Sequence, residues 1–98
     1  MIVIGRFPIY ISEGVRLGAR TFNIAPDEWK AMTPDQQWAL NKEFLDKAIM
    51  DNEEIRLATP PEKVRLRSAL EKELNYLASH GYLPKQIDID HWEVVREN

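Results

Sequence analysis

The chain has no cysteine, so disulfides and thiolate metal sites are excluded at once. Histidine is almost as scarce. His80 and His91 are the only two, and their separation in sequence gives a zinc site little to build on. Basic residues are outnumbered, 13 Lys and Arg against 16 Asp and Glu, for a formal charge of -3. A broad electrostatic grip on DNA needs a basic face, and this balance does not supply one. A small local basic site stays open. No apolar run approaches the roughly 18 residues of a membrane span, so no membrane partner is expected. The opening MIVIGRFP has no basic stretch, and its apolar run is too short for a signal peptide. The chain reads as cytoplasmic. It shows no internal repeat, low-complexity segment or linker.

What is present suits one globular domain over residues 1–98. Hydrophobic content is 44% and charged content 30%. Three Trp, three Tyr and three Phe help to fill the modest core that a chain of this length can bury.

The segments alternate between strand and helix signals. Met1 to Gly5 is a short apolar run rich in β-branched residues, read as a buried strand. Pro8 or Ile9 to Leu17 reads as a helix with Ile11 and Val15 as apolar positions, weakened by Gly14 and stopped by Gly18. Arg20 to Ile24 alternates as a second strand. Ala25-Pro26-Asp27-Glu28 opens a short helix running to about Met32. Thr33-Pro34-Asp35-Gln36 is a capping-box pattern, and the longest helix follows from Pro34 to about Met50. Trp38, Leu45 and Ile49 recur on it at helical spacing, beside Phe44 and Ala48.

Glu54 to Thr59 reads as a third strand, ended by Pro60-Pro61. Glu62 to Ser79 reads as a helix with Val64, Leu66, Leu70, Leu74 and Leu77 on its apolar side and Gly81 as its stop. Pro84 to Gln86 is expected to turn. Ile87 to Val95 reads as an edge strand or as a tight hairpin around Asp90. The order β-α-β-α-α-β-α-β implies an α/β fold: a small domain with a three- to four-stranded, partly parallel sheet packed by helices.

In an open α/β sheet, ligands bind beyond the carboxyl ends of the strands. Here those ends carry Gly5-Arg6, Asn23 and Thr59. If the three strands are parallel, these residues converge on one rim, where free N–H groups at helix starts also favour an anion. Arg6 is the candidate phosphate binder. Asn23 and Thr59 are candidate ligand contacts, with helix capping and turn formation as their structural alternatives. Asn41 shares a helix face with Trp38 and Leu45, and a buried amide needs partners. It is either a structural clamp or a ligand contact. Trp38 is either core or a stacking platform. Glu73 shares a face with Leu70 and Leu77, so its carboxylate points inward as a general base or as a partner of Arg6 or Arg20. Arg56, Arg65 and Arg67 form the one local basic cluster, with salt bridges to Glu62 and Glu71 as the structural alternative. The acidic tail residues Asp88, Asp90 and Glu93 lack the spacing of an EF-hand loop.

Several motifs together resemble a known family. They are GRFP-x-Y (5–10), GAR-x-FNI (18–24), the pattern W-x-x-M-x-x-x-x-QW-x-x-N-x-x-FLD-x-AI (29–49), I-x-LATP (55–60) and S-x-x-x-x-EL-x-YL-x-x-x-GY (68–82). Their succession resembles the C-terminal toxin domains of bacterial polymorphic toxins, both rearrangement-hotspot repeat proteins and filamentous-haemagglutinin-type proteins of contact-dependent inhibition. The resemblance covers Val3 to Tyr82. It implies delivery into the cytoplasm of a neighbouring cell and neutralisation by a cognate immunity protein. Many such domains attack nucleic acids, so it implies an RNA or nucleotide substrate. It marks Arg6, Asn23, Trp38, Asn41, Asp46, Thr59, Arg65, Ser68, Glu73 and Tyr76, and adds Ser68 to the substrate-binding candidates. Where the family tends to read Arg-Pro-Gly-Ser, this chain reads Arg65-Leu66-Arg67-Ser68. Loss of Pro-Gly is expected to let the following helix begin earlier.

Two functions follow from the sequence. One is a toxin-like enzyme, a ribonuclease or a nucleotide-directed enzyme, with Arg6 and Glu73 as catalytic residues. It would have no metal and no cofactor, because no metal ligand set is visible. The other is a non-catalytic α/β module that binds a protein partner through a Trp and Arg surface.

Overall fold

The computed structural model of the protein describes residues 1–96. It is an α/β domain built on a mixed five-stranded sheet. Ile2–Ile4 forms β1, Arg20–Thr21 β2 and Ile55–Leu57 β3. Tyr82–Asp88 forms β4 and His91–Arg96 β5. The spatial order is β2-β1-β3-β5-β4. β1 is central to a parallel trio, pairing with β2 on one side and β3 on the other. β5 joins β3 antiparallel, and β4 closes the sheet as β5's hairpin partner.

Four helices connect these strands: Ile9–Leu17 (α1), Pro26–Ala31 (α2), Pro34–Met50 (α3) and Ala69–Ser79 (α4). The start of α3 is the capping box expected from the sequence. Thr33 Oγ1 accepts from Gln36 N at 3.2 Å, and Gln36 Oε1 accepts from Thr33 N at 2.9 Å. Asn52, at φ 54°, turns the chain out of the helix through the left-handed region.

One core lies between the sheet and the pair α3 and α4. Side chains alternate across a strand, so Ile2 and Ile4, Ile55 and Leu57, and Val94 project to the same side. They meet Leu45 and Ala48 of α3 and Leu70 and Leu77 of α4. On the opposite face, α1 lies against β1 and β2. Gly14 is buried there, and a Cβ at this position would overlap Thr21 Cγ2. The glycine that weakens α1 as a helix is therefore what lets it approach the sheet. No helix among the described residues is long and apolar enough to cross a membrane.

Several expectations are corrected, and the open choice for the tail is decided. The sheet has five strands rather than three or four, because Tyr82–Asp88 continues through Pro84 instead of turning there. Proline is tolerated because β4 is an edge strand. The chain reverses at residues 88–91, so the hairpin form of the tail is the one adopted. β2 ends at Thr21 rather than Ile24.

The last helix begins at Ala69, not Glu62. Residues 61–63 form one 3-10 turn, and Arg67 adopts φ 62°. A left-handed residue interrupts any helix, so the segment turns even without Pro-Gly. Leu66 consequently leaves the apolar stripe and is 86% exposed. Val15, expected on the buried side of α1, is also exposed.

Candidate functional site

Because β1, β2 and β3 run parallel, their carboxyl ends share one rim of the sheet. Beside it lies a cavity of about 590 Å³. Five of the seven candidate site residues line it: Arg6, Asn23, Asn41, Ser68 and Glu73. They come from the end of β1, the loop after β2, α3, the turn before α4, and α4 itself. Tyr10, Phe22, Ile24, Trp29, Val64 and Leu70 supply an apolar and aromatic wall. Phe22 and Trp29 meet edge to face, with ring centroids 5.8 Å apart.

The centre of the site is a buried amide–carboxylate pair. Asn41 is 4% exposed and Glu73 9%. Asn41 Nδ2 donates to Glu73 Oε1 at 2.9 Å. Both face inward for the same local reason. Asn41 lies four residues before Leu45 on α3, and Glu73 lies between Leu70 and Leu77 on α4, so each occupies an apolar stripe. Burial raises the Glu73 carboxyl to about 7, and the hydrogen bond from Asn41 offsets this only in part. Burial, then the nearby charge of Glu73, also raises the Tyr10 phenol. Its hydroxyl donates to Phe22 O at 2.8 Å, tying α1 to the loop after β2.

The rest of the wall has the opposite charge. Arg6, Lys30, Lys63 and Arg65 also line the cavity and are exposed. Among the described residues, none of the four is in an ion pair. A chain that is acidic overall thus gathers four cations around one buried carboxyl. Fields of one sign around a concave wall attract anions.

The structure assigns local roles to several candidates. Ser68 caps α4: its Oγ accepts from Glu71 N at 3.1 Å and donates to Arg65 O at 2.7 Å. It reaches the wall with its hydroxyl already engaged. Thr59 is buried and absent from the cavity wall. Its Oγ1 accepts from Arg6 N at 3.0 Å, so it holds the turn that carries Arg6. Trp38 lies outside the cavity. It packs edge to face on Tyr76 at 5.7 Å, with Lys72 Nζ 4.6 Å from its ring, and so serves the α3–α4 contact. Asp46 accepts from the Tyr76 hydroxyl in the same contact. Gln37 Nε2 donates to Trp29 O at 2.8 Å and anchors α2 to α3.

Glu73 pairs with neither arginine considered for it among the described residues. Arg20 bonds Glu53. Of the basic cluster, Arg65 alone is in the wall, while Arg56 sits on β3 opposite Glu93.

The sequence reading missed Tyr10, Phe22, Trp29, Lys30 and Lys63. The aromatic residues stand within the motifs at 5–10, 18–24 and 29–49, but only the folded chain brings them together. Among the described residues one group of three has metal-ligand chemistry: Glu54, His91 and Glu93, with ligand atoms within 4.8 Å of one another. None of these lines the cavity, where among the described residues Glu73 is the single carboxyl and no histidine is present. No family model, curated protein or solved structure matches the chain.

Proposed function

We propose that this domain is a toxin-like effector of bacterial competition that acts on RNA or a nucleotide by acid–base chemistry at a phosphate ester, without a metal. The observation that carries the reading is Glu73, a buried carboxyl titrating near neutrality in a cavity walled by aromatic residues and by four cations that form no ion pair among the described residues. A general base works best when its pKa lies near the working pH. Glu73 takes the proton of the attacking hydroxyl as its oxygen bonds to phosphorus. The proton then goes to the leaving oxygen as the second P–O bond breaks. Arg6 neutralises the phosphate, with Lys63 and Arg65 supporting it. Asn41 holds the carboxylate, and the aromatic wall receives a base. A cognate immunity protein is the partner expected on this reading, covering the basic wall with carboxylates.

The test is induced expression in a bacterium of wild type, Glu73→Gln and Arg6→Ala, followed by analysis of RNA and nucleotide pools. Wild type is expected to deplete one of them. Glu73→Gln should lower that rate by about 10²–10⁴-fold, and excess EDTA should not. If folded wild-type protein leaves RNA and nucleotides intact, the reading fails and the protein-binding module takes its place.

A further inference from the structure

Asn41 has one more hydrogen-bonding atom than the described residues use. Its Nδ2 is spent on Glu73, but its buried Oδ1 has no partner among the described residues. A buried carbonyl without a donor is costly, and native proteins leave few of them. Asn41 belongs to the cavity wall, so a ligand held there can bring the missing donor. Glu73 adds a second acceptor, because its Oε1 takes the Asn41 bond and its Oε2 is not engaged by any side chain among the described residues. The Nδ2–Oε1 bond locks the amide and the carboxylate together. The pair therefore presents two neighbouring acceptors from a fixed frame.

The matching ligand carries two adjacent donors on an otherwise anionic molecule. Arg6, Lys30, Lys63 and Arg65 in the same wall disfavour a guanidinium or an amine. Vicinal hydroxyls on a sugar phosphate fit both requirements. We propose that Asn41 and Glu73 form a ribose-binding pair that takes the cis-diol of a terminal ribose, one hydroxyl donating to Glu73 Oε2 and its neighbour to Asn41 Oδ1. This rests on the reading that the cavity takes a nucleotide or RNA, and it narrows that reading. An internal RNA residue has its 3′-oxygen esterified and offers one hydroxyl only. The ligand is thus a free ribonucleotide or the 3′ end of an RNA, and DNA is rejected. Asn41 becomes the residue that determines specificity for the sugar.

Calorimetric titration of the folded protein tests this with AMP, 2′-deoxy-AMP and 3′-deoxy-AMP. A short oligoribonucleotide with a free 3′ end is compared with the same oligomer carrying a 3′-phosphate. Each missing hydroxyl is expected to weaken binding by about tenfold or more, since hydrogen bonds to charged or buried partners are the stronger ones. Asn41→Leu should abolish discrimination against one deoxy form while leaving the other penalty in place. Tighter binding of AMP than of the free-ended oligomer identifies a nucleotide ligand, and the reverse order identifies an RNA end. Either order supports the pair only when both deoxy penalties are present. Equal affinity for AMP and both deoxy forms overturns the sugar-binding role while leaving the nucleotide site standing. So does an oligomer that binds equally well with its 3′ end capped. If no member of the panel binds, both the pair and the nucleotide site are refuted. The wild-type panel decides these outcomes even if Asn41→Leu fails to fold.

Discussion

Glu73 makes a sharp claim about stability and pH. Its carboxyl titrates near 4.5 in the unfolded chain and at about 7 in the folded one. The folded state therefore binds more protons between these values, and stability falls as pH rises through that window. A shift of this size corresponds to roughly 3–3.5 kcal/mol, lost progressively from pH 4.5 to 7 and fully absent above it. For a protein of this length that is a lowering of the melting temperature by more than about 10 °C. Glu53 and Glu13 pull in the other direction. Arg20 and Arg16, respectively, hold these carboxyls below their usual values, so their stabilisation is present above pH 4.5 and lost below it. Both carboxylates are partly buried, but their arginine partners are exposed to solvent, so each pair contributes little. Glu73→Gln isolates the effect. Glutamine keeps the shape and an acceptor for Asn41 but carries no charge. Urea denaturation of wild type and Glu73→Gln from pH 4 to 8 should show near-equal stability at pH 4 and a more stable variant at pH 8. A difference that stays flat across this range would show that Glu73 is not a buried, proton-holding carboxyl, and the general-base role would fall with it.

Two further predictions concern the scaffold of the site. Gly14→Ala should destabilise by about 1–3 kcal/mol, because its Cβ enters space held by Thr21. Helix propensity alone predicts a gain of about 1 kcal/mol, so thermal melts separate the two causes. Adding Thr21→Ser, which removes the clashing methyl group, should recover most of the loss. Ser68→Ala removes the cap of α4 and should cost about 1 kcal/mol in urea denaturation. Its effect on ligand affinity should be small, since the hydroxyl is engaged within the protein. A large affinity loss with unchanged stability would restore Ser68 as a direct ligand contact.

Local chemistry made much of this protein legible from its sequence. The Thr33 to Gln36 box, Gly18 and the apolar stripe around Leu45 are patterns within a few residues, and such patterns need no distant partner to be read. They determined the alternation of strands and helices and hence the α/β class. They also set Asn41 and Glu73 facing inward, because each stands at a stripe position. Tertiary structure decided the rest. Val64 and Leu66 had helical spacing, but periodicity carries no information about the left-handed backbone at Arg67 that places them before the helix. The strand at Tyr82–Asp88 depends on pairing with β5, which Pro84 concealed. Spacing favoured Trp38 as a packing residue but did not name its neighbour, and the fold supplies it in Tyr76. The bond between Asn41 and Glu73 joins residues 32 positions apart. Each was visible as an inward polar side chain, but their meeting required α3 and α4 to share one face of the sheet. The sequence by itself therefore determined which residues turn inward. The fold alone decided which of them meet, because a contact between distant residues is fixed by topology and not by spacing.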